Sequence, residues 1–247
     1  MNHKGFKIHA LINTYNDYPT LGLAIDSVKD VVDDIIIADG AYQKYYDTYL
    51  QYDKTVKPYS TDGTLGIIQA LSKTGKMPPI RLIKCPLKPW INQTQKRTAL
   101  LNAVPIKDWF LILDSDEMFF GNVEAGVQEI MESGCIAGFT PLYNIGADIS
   151  GFYPFWHPRI FLKLPGMHYA RKHWLIEDFA HRIIETEYPV YGTDKFVVTH
   201  FKLFRHHRRT APHMSYMLDM SQSGWLEPKS DMFRSEIKPI EVKTNAV

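Results

Sequence analysis

The stretch WFLILDSDEMFF, residues 109–120, decides the fold. A continuous apolar run ends in three carboxylates within the four positions 114–117, and apolar residues resume at Met118. Such a run is typical of a strand buried on both faces of a parallel sheet. A carboxylate pair in that setting is costly unless a cation neutralises it, and a solvated turn or an acidic helix cap accounts for only one carboxylate. Asp114 and Asp116 therefore indicate a site for a diphosphate-bound Mg²⁺ or Mn²⁺, ions that take carboxylate, phosphate and water oxygens.

The elements around this stretch alternate between strand and helix. Pro19 fits the first turn of a helix, where its missing N–H is not needed. The apolar stripe that follows at helical spacing is Leu21, Ile25, Val28 and Val32. Asn122 is suited to cap a later helix that Gly134 would end. The predicted strands cover residues 7–13, 33–40, 80–85 and 108–113, with a helix at 94–103. This order predicts an α/β fold with an open, mostly parallel sheet flanked by helices.

One region interrupts the alternation. Residues 41–59 hold six tyrosines and show no clear period. Two interpretations stay open, a surface excursion with its own small aromatic cluster and a flap over the active site.

Composition excludes some classes of protein. Lys and Arg total 28 against 27 Asp and Glu, so the formal net charge of +1 gives no global field for nucleic acid or a membrane surface. The N-terminus lacks the apolar core of a signal peptide, and no stretch approaches the roughly 18 apolar residues of a membrane span. We therefore expect a soluble cytoplasmic protein.

Four motifs occur in a recognisable order: ALINTYND at 10–17, IIIADG at 35–40, QKRTALLNA at 95–103 and LDSDE at 113–117. Together they resemble the nucleotide-binding half of a family 2 glycosyltransferase with the GT-A fold, and LDSDE is similar to that family's Asp-x-Asp motif. The resemblance covers about half of the chain. It implies one domain over residues 1–223, with a nucleotide-binding half at 1–121 and an acceptor half at 122–223. From about Gly224 the sequence becomes less hydrophobic, proline-interrupted and charged, which predicts a C-terminal tail at 224–247. In the family the second strand usually leads directly into the next helix, whereas here the tyrosine-rich segment intervenes.

The resemblance also implies roles for particular residues. Thr14, Tyr15 and Asn16 would lie against the base and ribose, and Asp39 would accept hydrogen bonds from the nucleoside. The remaining nucleotide-sugar contacts implied by the resemblance would come from Arg97, Asp114 and Ser115. The metal, Mn²⁺ or Mg²⁺, would be held by Asp114, Asp116 and His200. His200 lies in the strand-like run 195–204, so a place in the core is its other interpretation. A divalent cation at the diphosphate would stabilise the charge on the leaving phosphate.

An inverting transferase also needs a carboxylate that takes the proton of the acceptor hydroxyl. HWLIEDFAHRI, residues 173–183, resembles the family's Glu-Asp motif and predicts Asp178, then Glu177, as the base. The same stretch also matches a His-Glu pattern through His173, and a helix start is the alternative without a catalytic role. WHPRIFLKL, residues 156–164, resembles the family's Arg-x-Phe strand. The acceptor contacts implied here are Trp156, His157, Arg159 and His173, although Trp156 also suits a core position.

The basic run KLFRHHRR, residues 202–209, is either a solvated face or a place for a diphosphate or an anionic acceptor, with Arg205 the favoured residue. The predicted function is metal-dependent transfer of a sugar, with inversion, from a UDP- or GDP-linked donor. The acceptor would be a glycan, another hydroxyl or a modified base in DNA. A nucleotidyltransferase is one alternative, but TYNDYPTLG at 14–22 lacks that class's glycine-rich basic loop. A non-catalytic nucleotide-sugar-binding module is the other.

Overall fold

The structure is a computed structural model, and it describes residues 5–83, 87–145, 154–170 and 175–201. The strands are β1 (Ile8–Thr14), β2 (Asp34–Asp39), β3 (Ile80–Ile83), β4 (Trp109–Asp114), β5 (Glu117–Gly121), β6 (Ala137–Ile145), β7 (Phe155–Leu162), β8 (His168–Tyr169), β9 (Ile176–Glu177), β10 (Val190–Gly192) and β11 (Phe196–Phe201). The helices are α1 (Tyr18–Asp26), α2 (Gln43–Tyr52), α3 (Thr64–Lys73), α4 (Gln93–Asn102), α5 (Val123–Glu132) and α6 (Ile184–Glu187). No helix in these ranges is long and apolar enough to cross a membrane. The predicted tail, 224–247, lies outside them.

The described strands form one nine-stranded sheet and one small hairpin. The order in the large sheet is β3-β2-β1-β4-β7-β6-β11-β5, with β10 beside β6. The first four strands are parallel to one another, and β6 is parallel to β10 and β11. The hairpin pairs β8 with β9. The predicted α/β class with a mostly parallel sheet is confirmed.

The central strands are buried on both faces, which explains their continuous apolar runs. Neighbouring residues of one strand point to opposite sides of the sheet. On β4, Leu111 packs in one core cluster, whereas Phe110 and Ile112 pack in the other. A strand exposed on one face would instead alternate apolar and polar residues.

The apolar residues on both sides of the carboxylates belong to two different strands. β4 ends at Asp114, residues 115 and 116 form a tight turn, and β5 begins at Glu117. β5 then pairs in antiparallel fashion with β11, so that His200 stands opposite Glu117. The sequence did not predict β5. The sheet therefore places the carboxylates in a turn that is itself largely buried.

Two local differences from the predictions have physical causes. The helical stripe ends early, because α1 stops at Asp26 and the Ser27 hydroxyl donates to the Ala24 carbonyl. Val28 and Val32 are still buried, but in the turns that follow. The tyrosine-rich segment contains helix α2. Its buried side chains Ala41, Tyr45, Tyr49 and Val56 form a small cluster, as one of the two interpretations expects, but the cluster also includes Tyr15 from the turn after β1.

Candidate active site at the carboxyl edge of the sheet

The parallel strands bring several predicted site residues to one edge of the sheet. Thr14 at the end of β1 is in register with Asp39 at the end of β2, and Asn13 is in register with Asp114 at the end of β4. Open α/β sheets bind their ligands beyond this edge. Two segments distant in sequence, the start of the chain and the LDSDE motif, therefore meet where a ligand is expected.

Asp116 and His200 form the part of the site best suited to a metal ion. Asp116 is 3% exposed, and its Oδ2 lies 3.2 Å from Nε2 of His200. On the other side of the ring, His200 Nδ1 lies 3.1 Å from Oδ1 of Asn144. When Nδ1 carries the proton and donates to Asn144, the lone pair of Nε2 faces the Asp116 carboxylate. An imidazole fixed in this way by an outer hydrogen bond is typical of a metal-binding histidine.

Asp114 is held by Arg97. One terminal nitrogen of Arg97 lies 2.6 and 2.8 Å from the two carboxylate oxygens. Burial opposes charge on both groups, but their attraction outweighs it. The pKa of Asp114 is therefore lowered, and the pKa of Arg97 is raised above its usual range. Arg97 also lies over the ring of Tyr169, 5.9 Å from its centroid. The guanidinium of Arg97 is therefore held between the Tyr169 ring and the Asp114 carboxylate.

Glu117, the third carboxylate of the motif, pairs with Arg159 inside the protein. The two terminal nitrogens of Arg159 donate to the two oxygens of Glu117 at 2.8 and 2.7 Å. Both side chains are almost fully buried, at 5% and 3% exposure. Glu117 Oε2 also accepts from the backbone N–H of Asp114. This geometry counts against the predicted acceptor contact by Arg159, which instead positions the turn that carries Asp116.

The other two acceptor candidates on β7 differ in exposure. Trp156 is 37% exposed. His157 is half-buried, and burial together with the charge of Arg159 lowers its pKa to about 3, so its ring is neutral near pH 7. A neutral ring and an exposed indole suit hydrogen bonding and stacking on a sugar, and that role remains a prediction for both.

The predicted nucleoside contacts lie beneath the segment 57–61. Asp39 is 1% exposed, and its carboxylate accepts from the backbone N–H and the hydroxyl of Ser60. Asn16, in a left-handed conformation with φ of 52°, accepts from the N–H of Thr61 at 2.8 Å. The hydroxyl of Tyr15 donates to the backbone at position 57. The structure therefore brings these residues together beside the end of the tyrosine-rich insertion, and their contacts with a nucleoside remain a prediction.

Asp17 was missed by the sequence analysis and connects two parts of the site. Its Oδ2 accepts from the N–H of Tyr15 at 2.9 Å, from the hydroxyl of Thr14 at 3.2 Å and from the hydroxyl of Ser115. An Asp two residues before Pro19 suggests a helix cap. Yet the side chain makes no cap hydrogen bond to α1. It ties the turn after β1 to the turn after β4 instead.

Lys96 was also missed, although it adjoins Arg97. It is 1% exposed, and its ammonium donates to the carbonyls of Thr14 and Gly40 at 2.7 and 2.6 Å. Thr14 is the last residue of β1, and Gly40 directly follows β2. Lys96, on α4, therefore links the ends of these two strands by hydrogen bonds. A lysine in a polar stretch reads as exposed, and only the packing of α4 on the sheet reveals this role.

The two candidate bases have very different surroundings. Asp178 accepts hydrogen bonds from the N–H groups of Ala180 and Arg182, from the Arg182 guanidinium and from the Tyr188 hydroxyl. The Tyr188 bond foremost, with those from Arg182, holds the pKa of Asp178 well below its usual range. This counts against Asp178 as a proton acceptor. Glu177, 18% exposed, lies on β9 beside the imidazole of His181.

One further carboxylate of the acceptor half has an unusual pKa. Glu185 lies in α6, and burial raises its pKa to about 7. A carboxyl group with a pKa near neutrality is suited to accept a proton. No sequence pattern points to Glu185, because its raised pKa depends on packing. Arg205 and His173, the two remaining predicted site residues, lie outside the described residues.

Comparison with known proteins adds a family context. No protein-family model matches the chain. Over 127 residues the chain is 26% identical to an uncharacterized glycosyltransferase of Rickettsia felis, a match that covers 51% of this chain and 35% of the relative. It is 25% identical to a second uncharacterized glycosyltransferase, from Rickettsia conorii, with the same coverage. The chain thus spans about a third of the length of these curated relatives.

A solved structure similar to this chain is the crystal structure of S. aureus TarS 1-349. The identity is 13%, the match covers 58% of this chain and 37% of that one, and the TM-score is 0.43. The two curated relatives confirm the resemblance to glycosyltransferases that the four sequence motifs carry.

Proposed function

We propose that this protein transfers a sugar from a nucleotide-sugar donor to an acceptor hydroxyl, with a divalent metal held at the carboxyl edge of the sheet. The contact between Asp116 and His200 carries this proposal. It places a carboxylate oxygen and a ring nitrogen 3.2 Å apart at the edge where α/β sheets bind ligands. The glycosyltransferase names of the two sequence relatives support the same class of reaction.

The surrounding charges fit a cation at this position. The neighbouring carboxylates Asp114 and Glu117 each contact a guanidinium, that of Arg97 and that of Arg159. Asp116 contacts the imidazole of His200, a ring that binds a metal when it is neutral. One carboxylate and one imidazole suit Mn²⁺, and Mg²⁺ also accepts carboxylate and phosphate oxygens. Asp116 and His200 would therefore hold the ion.

The contacts of Asp114 and Asp17 indicate what each residue would do when metal and donor are bound. The metal, when bound, supplies Lewis-acid stabilisation of the charge on the leaving diphosphate. Asp114 stays ionised, because Arg97 lowers its pKa, and it can accept hydrogen bonds from ribose hydroxyls. Asp17 fixes the Ser115 turn relative to Thr14, so the nucleoside and diphosphate ends of the donor would meet preorganised groups.

The acceptor hydroxyl needs a base, and we assign that role to Glu177 rather than Asp178. Glu177 is partly exposed, whereas the carboxylate of Asp178 is 1% exposed and occupied by hydrogen bonds. We expect Glu177→Gln to lower transfer on the order of 100-fold or more, as for a lost general base, while donor binding is kept. Asp178→Asn and Glu185→Gln are the matched variants, and full inactivity of either with an active Glu177→Gln would move the base to that residue.

Calorimetric titration tests the metal-dependent donor site. UDP, GDP and ADP, each with and without Mn²⁺, should show one nucleoside diphosphate whose affinity depends on the metal. Asp116→Asn should lose that dependence, and Asp26→Asn, which changes a carboxylate 59% exposed on α1, should keep it. Equal Mn²⁺ dependence in both variants would contradict the proposal.

Product analysis then separates sugar transfer from its alternatives. A UDP- or GDP-sugar incubated with glycan and modified-DNA acceptors should release the nucleoside diphosphate and yield an inverted linkage. Release of pyrophosphate from a nucleoside triphosphate would identify a nucleotidyltransferase. Donor binding with no turnover under any acceptor would identify a binding module.

A further inference from the structure

A second cluster of metal-ligand side chains lies on the small hairpin and the turn that follows it. His168 on β8, Glu177 on β9 and His181 in the turn each offer one ligand atom, and these atoms all lie within 4.8 Å of one another. His181 Nδ1 lies 3.1 Å and His168 Nε2 lies 3.8 Å from the same oxygen, Oε2 of Glu177. The two rings stand perpendicular with their centroids 5.8 Å apart. Three potential ligands thus converge on one point.

The ring of His168 is oriented by an outer hydrogen bond. Its Nδ1 lies 3.0 Å from the carbonyl oxygen of Gly166, which can only accept, so Nδ1 carries a proton. In the neutral ring Nε2 then presents a lone pair toward the Glu177 carboxylate. Two lone pairs that face each other repel unless a cation or a proton lies between them. A backbone carbonyl behind the ring is also the usual outer partner of a metal-bound histidine.

His181 is held at the cluster by a conformation that few residues adopt. Its φ is 60°, in the left-handed region that non-glycine residues seldom occupy, although histidine is among the less disfavoured. The turn is fixed by Asp178, whose carboxylate accepts from the N–H groups of Ala180 and Arg182 and whose carbonyl accepts from His181. The buried hydrogen bonds of Asp178 thus set His181 beside Glu177. A backbone outlier that its surroundings maintain points to a function at that residue.

We propose that His168, Glu177 and His181 bind a divalent transition metal of the zinc class. Two imidazoles and one carboxylate are a ligand set that zinc accepts, with a fourth position for water or a substrate oxygen. Tetrahedral zinc with bonds of about 2.0 Å places its ligand atoms about 3.3 Å apart. The separations of 3.1 and 3.8 Å from Glu177 Oε2 lie on either side of that value, and the two histidine nitrogens lie within 4.8 Å of each other, so side-chain rotations would be needed to complete the site. His181 is 78% exposed, which leaves the fourth position open to solvent.

This site is separate from the pair Asp116 and His200, and the two differ in chemistry. The hairpin cluster offers two imidazoles and suits borderline ions such as Zn²⁺, whereas the sheet edge offers one carboxylate and one imidazole beside the place proposed for phosphate oxygens, which suits Mn²⁺ or Mg²⁺. One consequence rests on the proposed function. Because Glu177 is the assigned base, zinc on its carboxylate would prevent proton transfer and inhibit the Mn²⁺-dependent reaction. The binding experiment below does not depend on turnover, so the two proposals fail independently.

Zn²⁺ titration by calorimetry and Co²⁺ absorption spectroscopy at pH 7.5 test the site. Three variants are compared with the wild-type chain: His168→Gln, His181→Asn and Asp116→Asn. Asparagine also tolerates the left-handed backbone, so His181→Asn removes the ligand while the turn is kept. We expect the two histidine variants to lose one equivalent of Zn²⁺, with affinity weaker on the order of 100-fold, since even an outer partner contributes up to that factor. Asp116→Asn should retain that equivalent and its tetrahedral Co²⁺ bands.

Several results would overturn the site. They are a wild-type chain without a micromolar Zn²⁺ site, histidine variants that bind as the wild type does, or loss of zinc in Asp116→Asn alone. Circular dichroism and the melting temperature establish that each variant is folded. If His181→Asn fails to fold, His168→Gln decides the question, because its backbone is an ordinary strand.

Discussion

The two edges of the same sheet differ in the groups that contact their carboxylates. At the amino edge, where β1, β2 and β4 begin, the ring of His9 lies between Asp34 and Asp108, and Arg81 also contacts Asp34. At the carboxyl edge, Asp116 faces His200 through a geometry that suits a metal ligand. Acidic residues at strand ends therefore do not identify a functional site. The groups that face them do, and those groups come from distant parts of the chain.

The amino edge is closed by its own charges. Both nitrogens of His9 contact carboxylates, and a ring can donate from both nitrogens only when it is protonated. Burial lowers the pKa of His9, but the hydrogen bonds and charges of Asp34 and Asp108 outweigh burial, so the pKa is raised. The pKa of Asp34 is lowered, since His9 and Arg81 together outweigh its burial. This edge needs no ligand to be neutralised.

The largest expected effect concerns the buried pair at the carboxyl edge. Arg159→Met should lower the free energy of unfolding by about 3–5 kcal/mol, because it leaves the Glu117 carboxylate buried without its guanidinium. Urea unfolding measures the loss. The amino-edge carboxylates Asp34 and Asp108 are 17% and 16% exposed, against 3% for Glu117. Removing their partner His9 should therefore lower the free energy of unfolding by less than Arg159→Met does.

The double variant Arg159→Met with Glu117→Gln is the control for this effect. It removes both charges, so it should recover much of the stability lost in the single variant. If Arg159→Met lowers the free energy of unfolding by less than about 1 kcal/mol, the pair is solvated. The two edges would then not differ in how deeply their ion pairs are buried.

The second prediction distinguishes a ligand site from a structural ion pair. Asp116→Asn should weaken Mn²⁺-dependent donor binding on the order of 100-fold or more, because it removes a metal ligand. In the absence of metal the same variant should lose less unfolding free energy than Arg159→Met, because the amide keeps a polar group beside His200. Asp116 raises the pKa of the neighbouring Asp114 by repulsion, and the amide removes that repulsion. Chemical unfolding without metal measures the second effect, and marked destabilisation would make Asp116 a structural residue like those of the amino edge.

The sequence predicts those parts of the molecule whose cause is local. β1, β2 and β4 are recognisable because strands buried on both faces need continuous apolar runs, and Asp114 and Asp116 stand out against them. β5 could not be predicted, since it exists only through pairing with β11, far along the chain. Two other contacts also join residues that are distant in sequence. Arg159 pairs with Glu117, and Lys96 donates to the carbonyls at the ends of β1 and β2. The left-handed turn at His181 depends on the hydrogen bonds of Asp178, which no sequence pattern displays.

A third and smaller effect is expected at Lys96. Lys96→Met keeps the length of the side chain but removes the donor to the carbonyls of Thr14 and Gly40. Buried acceptors that lose a donor cost stability, and we expect a loss of about 2 kcal/mol in the free energy of unfolding. Lys54→Met, at an exposed position, should be nearly neutral. Equal free energies of unfolding for the two variants would show that the hydrogen bonds of Lys96 to the strand ends do not stabilise the fold.

The smallest effect should depend on pH and belongs to the amino edge. His9→Gln should cost about 1–2 kcal/mol near pH 5.5, the scale of a hydrogen bond to a charged partner. The folded pKa of His9 is raised, so its contribution is fully present below the unfolded value of about 6.5 and is lost as the pH rises through the folded pKa. The folded pKa of Asp34 is lowered, so its contribution is present above the unfolded value of about 3.9 and is lost as the pH falls through the folded pKa. The stability difference between wild type and variant should therefore be largest between about pH 4 and 6.5 and shrink toward pH 9. Urea unfolding at pH 5.5 and pH 9 measures it, and a difference that stays constant or grows with pH would show that His9 is not held as an imidazolium.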